Sequence, residues 1–186
     1  MKMPLMKLQR AVCWKMNLPF DDINIHAAED LEKLEEFQKI KKFGDYWNND
    51  FKSNRNLFLQ LKSLEAVHSF PQVRDSDICL FLRLDLLIHT SFSHAIPPIR
   101  KLKENLILLP FWQNWKGGLN DRFGLCNEKR AKEAYAYCGE YALEFGQRTS
   151  SPLQRERLLR YSVMRYGIKT KDLDVTASRL RADGQY

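Results

Sequence analysis

Two histidines and two serines lie close together in the sequence and are the first residues to test for catalytic chemistry. His89 and His94 bracket a segment that contains Ser91 and Ser93. A serine nucleophile needs a histidine base held against it and a site for the oxyanion. The sequence has no G-x-S-x-G turn, and a polar loop before Pro97 commonly collects such residues. We therefore interpret the segment as a loop and expect a non-enzymatic protein with no catalytic residue.

The histidines and cysteines also lack the spacing of metal ligands. His89 and His94 lie five residues apart, whereas two ligands on one helical face lie four apart, and no H-E-x-x-H motif occurs. The four cysteines form no C-x-x-C pair, so we expect reduced thiols and a cytoplasmic protein. Neither a Walker motif nor a G-x-G-x-x-G motif is present. The sequence therefore predicts neither a metal ion nor a nucleotide cofactor.

The net charge is +7, and the positive excess is concentrated at the two ends of the chain. Residues 1–19 contribute +4 and residues 148–186 contribute +5. Clustered lysine and arginine create a positive potential that attracts polyanions such as DNA or RNA. We divide the chain into a basic N-terminal arm (1–19), a helical body (20–147) and a basic helical pair (148–186). No apolar run approaches the ~20 residues that span a bilayer, so we expect no membrane contact.

Most of the body has apolar residues at every third or fourth position, which predicts helices. The predicted helices cover residues 27–43, 46–67, 97–109 and 127–146, the last with Asn127 as its N-cap. In residues 78–89 apolar residues instead alternate with others, which favours a strand. The leucine content of that segment favours a helix, and no second strand is evident to pair with it. We therefore expect an all-α helical bundle with one short strand near 78–89 at most.

The basic C-terminal segment contains two further predicted helices, 153–166 and 171–182, separated by a glycine-led turn. Gly167 is suited to a left-handed turn, and the apolar Ile168 follows it directly. In this respect Ser162–Gly184 resembles the helix-turn-helix motif at Val163, Gly167, Ile168 and Leu173. The resemblance covers about a fifth of the chain and implies a small DNA-binding module.

The resemblance also implies which side chains meet nucleic acid. The second helix would present to the groove Lys171, Asp172, Val175, Ser178 and Arg179. The cations expected to meet phosphates are Arg157, Arg160, Arg165 and Lys169. The alternative interpretation is an ordinary helical hairpin with a solvated basic surface.

An aromatic cluster supplies a second set of candidate contacts. Trp112 and Trp115, with Lys116 and Arg122 nearby, could stack on the bases of single-stranded nucleic acid. Tryptophan is also a common packing residue, and that alternative stays open. The function we expect is non-enzymatic nucleic-acid binding, as a regulator or accessory factor. The alternative is a helical protein–protein adaptor that uses the aromatic cluster and the charged first helix.

We predict that the chain folds without a metal ion or a disulfide, because its cysteine and histidine spacing demands neither. Thermal unfolding followed by circular dichroism should give the same midpoint with and without a chelator or a reductant. A midpoint lowered by about 5 °C or more by either reagent would contradict this prediction.

Overall fold

The structure is a computed structural model that describes residues 31–83, 85–101 and 104–180. The N-terminal arm lies outside the described residues. The α-helices are α1 (Glu35–Lys41), α2 (Lys52–Ser69), α3 (Pro71–Arg74), α4 (Ile96–Lys101), α5 (Lys129–Ala136), α6 (Ala142–Thr149) and α7 (Arg155–Tyr166). The strands are β1 (Ile78–Leu82), β2 (Leu86–Ile88), β3 (Leu106–Pro110), β4 (Phe123–Asn127), β5 (Lys169–Leu173) and β6 (Ala177–Arg179). Two 3₁₀ helices cover Trp115–Gly117 and Cys138–Tyr141.

Within these ranges, four strands form a mixed sheet in the order β1-β4-β3-β5. β4 is antiparallel to both of its neighbours, whereas β5 is parallel to β3. A smaller antiparallel sheet consists of β2 and β6. Helices account for 48% and strands for 18% of the structure, so the predicted all-α fold is wrong and the fold is mixed α/β.

The alternating segment 78–89 forms strands β1 and β2 instead of a helix. The partner of β1 is β4, in the register Ile78↔Asn127 to Leu82↔Phe123. The predicted elements leave residues 110–126 unassigned, and β4 (Phe123–Asn127) begins within that range. Every residue of β4 is buried, and a strand buried on both faces has no alternation in its sequence.

The predicted helix 97–109 is wrong in its second half, where Leu106–Pro110 forms β3. α4 ends at Lys101. A short apolar run fits a buried strand and a buried helix equally well by pattern, and here the pairing with β4 and β5 decides. Asn127 ends β4 and is not a helix N-cap, because its Oδ1 accepts the backbone N–H of Leu106 at 2.8 Å. The predicted helix 127–146 is divided into α5, a 3₁₀ helix and α6.

The C-terminal segment begins as predicted and then departs from the prediction. α7 ends at Tyr166, its C-cap Gly167 has a φ of 65° in the left-handed region, and the next residue, Ile168, is buried. Residues 169–173 then form β5 beside β3, and 177–179 form β6 beside β2. The backbone groups of these residues are satisfied by neighbouring strands, which overrides local helix propensity. The predicted helix-turn-helix-like pair is therefore wrong.

The sheet is covered on both faces. One face packs against α5 and α7 through residues such as Phe81, Ile107, Tyr135 and Leu159. The other packs against α4 and the small sheet through residues that include Ile99, Leu106, Phe123 and Leu125. α1, α2 and α6 form a further cluster with the start of α7. Among the described residues, no helix combines the length and apolarity needed to cross a lipid bilayer.

A buried lysine holds the end of α3 against α5. Lys132 lies on α5 and is 2% exposed. Its Nζ donates hydrogen bonds to the carbonyl oxygens of Val73, Arg74 and Ser76. These carbonyls lie at the C-terminal end of a four-residue helix, where intrahelical donors are lacking. The lysine charge therefore replaces a C-cap and joins α3 to the sheet-covering helices.

We predict that Lys132→Met lowers the free energy of unfolding by about 1 to 3 kcal/mol, because it removes the lysine donor from the carbonyls of Arg74 and Ser76. The measurement is urea denaturation of the full chain. Lys129→Met on the exposed face of the same helix is the matched control and should change stability by about 0.5 kcal/mol at most. If the two variants are equally stable, the cap has no energetic role.

Candidate nucleic-acid interface

Most of the predicted C-terminal contacts are paired with other side chains of the same chain. Lys169 and Lys171 lie on β5, and their Nζ atoms are 2.6 and 3.9 Å from the carboxylate of Glu104. Arg179 lies on β6, with its Nε 3.0 Å from Asp85. Two more are paired in the same way: Arg165 with Glu144 at 3.7 Å, and the Ser178 hydroxyl with the His89 ring at 2.6 Å. The surface that a helix-turn-helix presents to the DNA groove is therefore not formed. Val175, which was expected on that surface, is fully buried.

Arg157 and Arg160 differ from these residues. Neither has a carboxylate partner within 4 Å among the residues that the structure describes. They lie three positions apart on α7 and line a shallow groove of about 160 Å³ together with Lys116. We call this surface the basic groove and define it by its lining residues: Lys116, Gly117, Phe145, Arg157, Arg160, Tyr161 and Met164.

The basic groove exists because residues 111–122, which connect β3 to β4, are docked on α7. We call these residues the docked loop. The N–H of Leu119 donates to the carbonyl of Glu156 at 2.9 Å, and Arg160 Nη1 donates to the carbonyl of Gly117 at 2.6 Å. A Cβ on Gly118 would lie 2.5 Å from the backbone carbon of Glu156. Glycine at this position therefore permits the close approach of loop and helix.

A buried ion pair fixes the other end of the docked loop. Arg155 is the first residue of α7, is 6% exposed, and has its Nε 3.7 Å from Oδ2 of Asp121. The same carboxylate oxygen accepts a hydrogen bond from Nε2 of Gln60 at 3.1 Å. Arg155 Nη1 also donates to the sulfur of Cys138 at 2.8 Å, and the guanidinium lies 5.6 Å from the centre of the Tyr135 ring. Asp121 therefore ties the loop to α7 and α2 in a buried site.

Burial and neighbouring groups shift the pKa values of the residues at and around this ion pair. Burial acts to lower the pKa of Arg155, but Cys138 and Asp121 outweigh it and the pKa is raised. Burial raises the pKa of the Cys138 thiol. Burial and then the nearby Asp121 charge raise the pKa of Glu156.

The two predicted stacking residues have different environments. Trp112 is half-buried, and its indole Nε1 donates to the carbonyl of Val175 at 3.0 Å while Arg122 covers its ring at 5.0 Å. The Trp112 ring therefore packs between Arg122 of the docked loop and the segment that follows β5. Trp115 is 52% exposed and lies directly before Lys116 in the 3₁₀ helix. Of the two, Trp115 is the tryptophan that solvent molecules can reach more freely.

An aromatic pair that was not among the predicted contacts lies beside the docked loop. Lys116 Nζ is 5.0 Å from the centre of the Tyr46 ring, and Tyr46 contacts Trp47 edge to face. Trp47 is 59% exposed. We assigned residues 46–67 to one helix, but the helix begins at Lys52. The run Asn48-Asn49-Asp50 was the signal for a turn, since Asn and Asp favour turns and tolerate positive φ.

The side chains of the histidine and serine segment contact one another and strand β6. His89 contacts Ser178, and the Ser91 hydroxyl donates to the Ser93 hydroxyl at 2.9 Å. Within the described residues, no group of three His, Cys, Asp or Glu side chains is placed to hold a metal ion. The three described cysteines carry free thiols, and burial raises the pKa of Cys79 to about 11.

Comparison with known proteins identifies no relative of the chain: no protein-family model, curated protein or solved structure matches it.

We predict that Arg155→Met lowers the free energy of unfolding by about 3 to 5 kcal/mol, because it leaves the Asp121 carboxylate buried without its cation. The double variant Asp121→Asn with Arg155→Met should be more stable than Arg155→Met, since no charge is left unpaired. Urea denaturation measures both. Arg157→Met, on the half-exposed face of α7, is the control and should cost about 1 kcal/mol at most. A double variant less stable than Arg155→Met would contradict this account of the pair.

Proposed function

We propose that the protein binds nucleic acid, DNA or RNA, without carrying out a reaction on it, as a regulator or accessory factor. The observation that carries the proposal is the convergence of Lys116, Arg157 and Arg160 on the basic groove. Among the described residues none of these three cations is neutralised by a carboxylate. Two of them were predicted from sequence as phosphate contacts, although the motif that led to them is not formed.

The chemistry of the groove suits a phosphate backbone. Guanidinium groups form paired, charge-assisted hydrogen bonds to phosphate oxygens. Lys116 lies across the groove from α7, so the cations come from two elements and not from one solvated helix face. Arg157 lies over the Phe145 ring at 5.3 Å, which restricts the guanidinium and reduces the entropy lost on binding.

The wider charge distribution supports the same function. The net charge of +7 and the basic ends of the chain attract a polyanion over long distances at low salt. Lys169, Lys171 and Arg179 are paired with carboxylates. They therefore contribute less to a phosphate site than their number suggests.

We predict that the double variant Arg157→Ala with Arg160→Ala weakens binding to all nucleic-acid sequences by about tenfold or more at low salt. Each lost phosphate contact should reduce the slope of log affinity against log salt by about 0.7 to 0.9. The measurement is fluorescence anisotropy with labelled DNA and RNA of mixed sequence over about 50 to 300 mM salt.

The matched control for this experiment is Arg100→Ala with Lys101→Ala. It removes the same charge from exposed positions on α4, which make no ion pair with the described residues. The control should keep the wild-type slope of log affinity against log salt and should lose only a little affinity. Absence of salt-dependent binding by the wild type overturns the proposal. Equal losses in both double variants would show that net charge acts and the groove does not.

A second candidate function is that of a protein–protein adaptor, and the edge strand β1 favours it. Leu80 and Leu82 are exposed on this strand, which pairs on one side with β4. An exposed edge can accept a strand from a partner protein. This candidate gains support if the wild-type chain binds no nucleic acid and Leu80→Lys abolishes the capture of a protein partner.

A further inference from the structure

Two exposed tryptophans flank the cation that forms one wall of the basic groove. Trp115 precedes Lys116 in the chain, and Trp47 contacts Tyr46, whose ring lies under the Lys116 ammonium group. Trp115 and Trp47 are 52% and 59% exposed. Lys116 thus contacts the turn at 45–50 through Tyr46 and also lines the basic groove beside α7.

Exposed tryptophan indicates a binding surface more strongly than most exposed residues do. A large aromatic ring left in water forgoes a substantial hydrophobic gain. Trp112, in the same loop, shows the usual alternative, since its ring is packed and its indole N–H is bonded. Trp47 and Trp115 lack that burial, although the neighbouring core is well packed.

The backbone that presents these rings is held in an uncommon conformation. Lys116 has φ of 46° and ψ of 41°, the left-handed region, which costs a lysine of order 1 to 2 kcal/mol. The bond from Arg160 to Gly117 and the contact of Gly118 with α7 maintain this conformation. The turn at 45–50 is fixed as well, because the Asp45 carboxylate accepts the backbone N–H groups of Trp47, Asn49 and Phe51. The rings are therefore carried on rigid supports.

The carboxylates around this surface do not cancel its positive charge. Asp45 is hydrogen-bonded to backbone amides, which lower its pKa and spread its charge over the turn. Glu144 lies 3.0 Å from Arg148 and 3.7 Å from Arg165, so cations neutralise it. Glu144 is therefore not an unpaired carboxylate that a phosphate backbone would meet at the basic groove.

We infer that the basic groove takes single-stranded nucleic acid, with Trp115 and Trp47 stacking on unpaired bases while Lys116, Arg157 and Arg160 bind the adjoining phosphates. This inference rests on the proposed function. In a duplex the faces of the bases are covered by their neighbours in the stack, so exposed tryptophans contribute to binding when the strand is single. The stacked faces are common to all bases, which predicts weak sequence preference.

The test compares three labelled probes of about 12 nucleotides with the full chain by fluorescence anisotropy: oligo-dT, oligo-U and a blunt duplex. Both single strands should bind about tenfold more tightly than the duplex. Trp115→Ala and Trp47→Ala should each weaken single-strand binding by about 5-fold to 100-fold and leave duplex binding unchanged. A preference for oligo-U over oligo-dT would support the inference and identify RNA as the ligand through its 2′-hydroxyl.

Tryptophan fluorescence gives a second readout in the unaltered protein. Stacking should quench the emission when oligo-dT is added, and Trp112→Phe should retain the quench because Trp112 is packed inside the loop. Duplex binding as tight as single-strand binding, with both alanine variants unaffected and the Arg157/Arg160 variant weakened, overturns this inference and leaves the proposed function intact. Absence of binding to all three probes overturns both.

Discussion

The packing of the docked loop, α7 and α5 depends on the contacts of the buried Arg155 guanidinium. Removing a guanidinium from water costs several kcal/mol unless charge and hydrogen bonds compensate. Here Asp121 in the docked loop supplies the opposite charge at 3.7 Å, Cys138 in the second 3₁₀ helix accepts one hydrogen bond, and the ring of Tyr135 on α5 lies against the guanidinium, while Nε and Nη2 make no hydrogen bond to the described residues. One side chain at the start of α7 therefore fixes the loop before β4 and the helices after it. The position of the docked loop follows from this requirement.

Tyr135 extends the same arrangement into the sheet. Its hydroxyl donates to the carbonyl of Asp121 at 2.9 Å, and its ring stacks on Phe81 of β1 at 4.9 Å. The ring also lies directly on Gly124 of β4, where a Cβ would come within 2.5 Å of it. Sheet, loop and α7 are thus packed around one buried polar centre. The basic groove on the outside of α7 is a consequence of that packing.

The sequence predicted the local features of this fold better than its long-range pairing. The amphipathic α7 and the left-handed stop at Gly167 were predicted, because both follow from a few neighbouring residues. The strand β4 and its pairing with β1 were not predicted. The central residues of the two strands, Leu80 and Leu125, lie 45 positions apart in the chain. Lys169–Leu173 has a helix-like context in sequence and becomes a strand because β3 supplies its hydrogen bonds. Arg157 and Arg160 were predicted as contacts, whereas their juxtaposition with Lys116 depends on the buried Arg155 and could not be predicted.

The most direct measurement of the central claim is hydrogen–deuterium exchange of the full chain with and without a saturating single-stranded oligonucleotide. We propose that the docked loop and the outer face of α7 together form the nucleic-acid contact. The account predicts slower exchange in residues 45–51 and 111–122 and little change in β5 and β6 (169–179). Protection confined to residues 1–19 or to 169–179, with the docked loop unchanged, would contradict it.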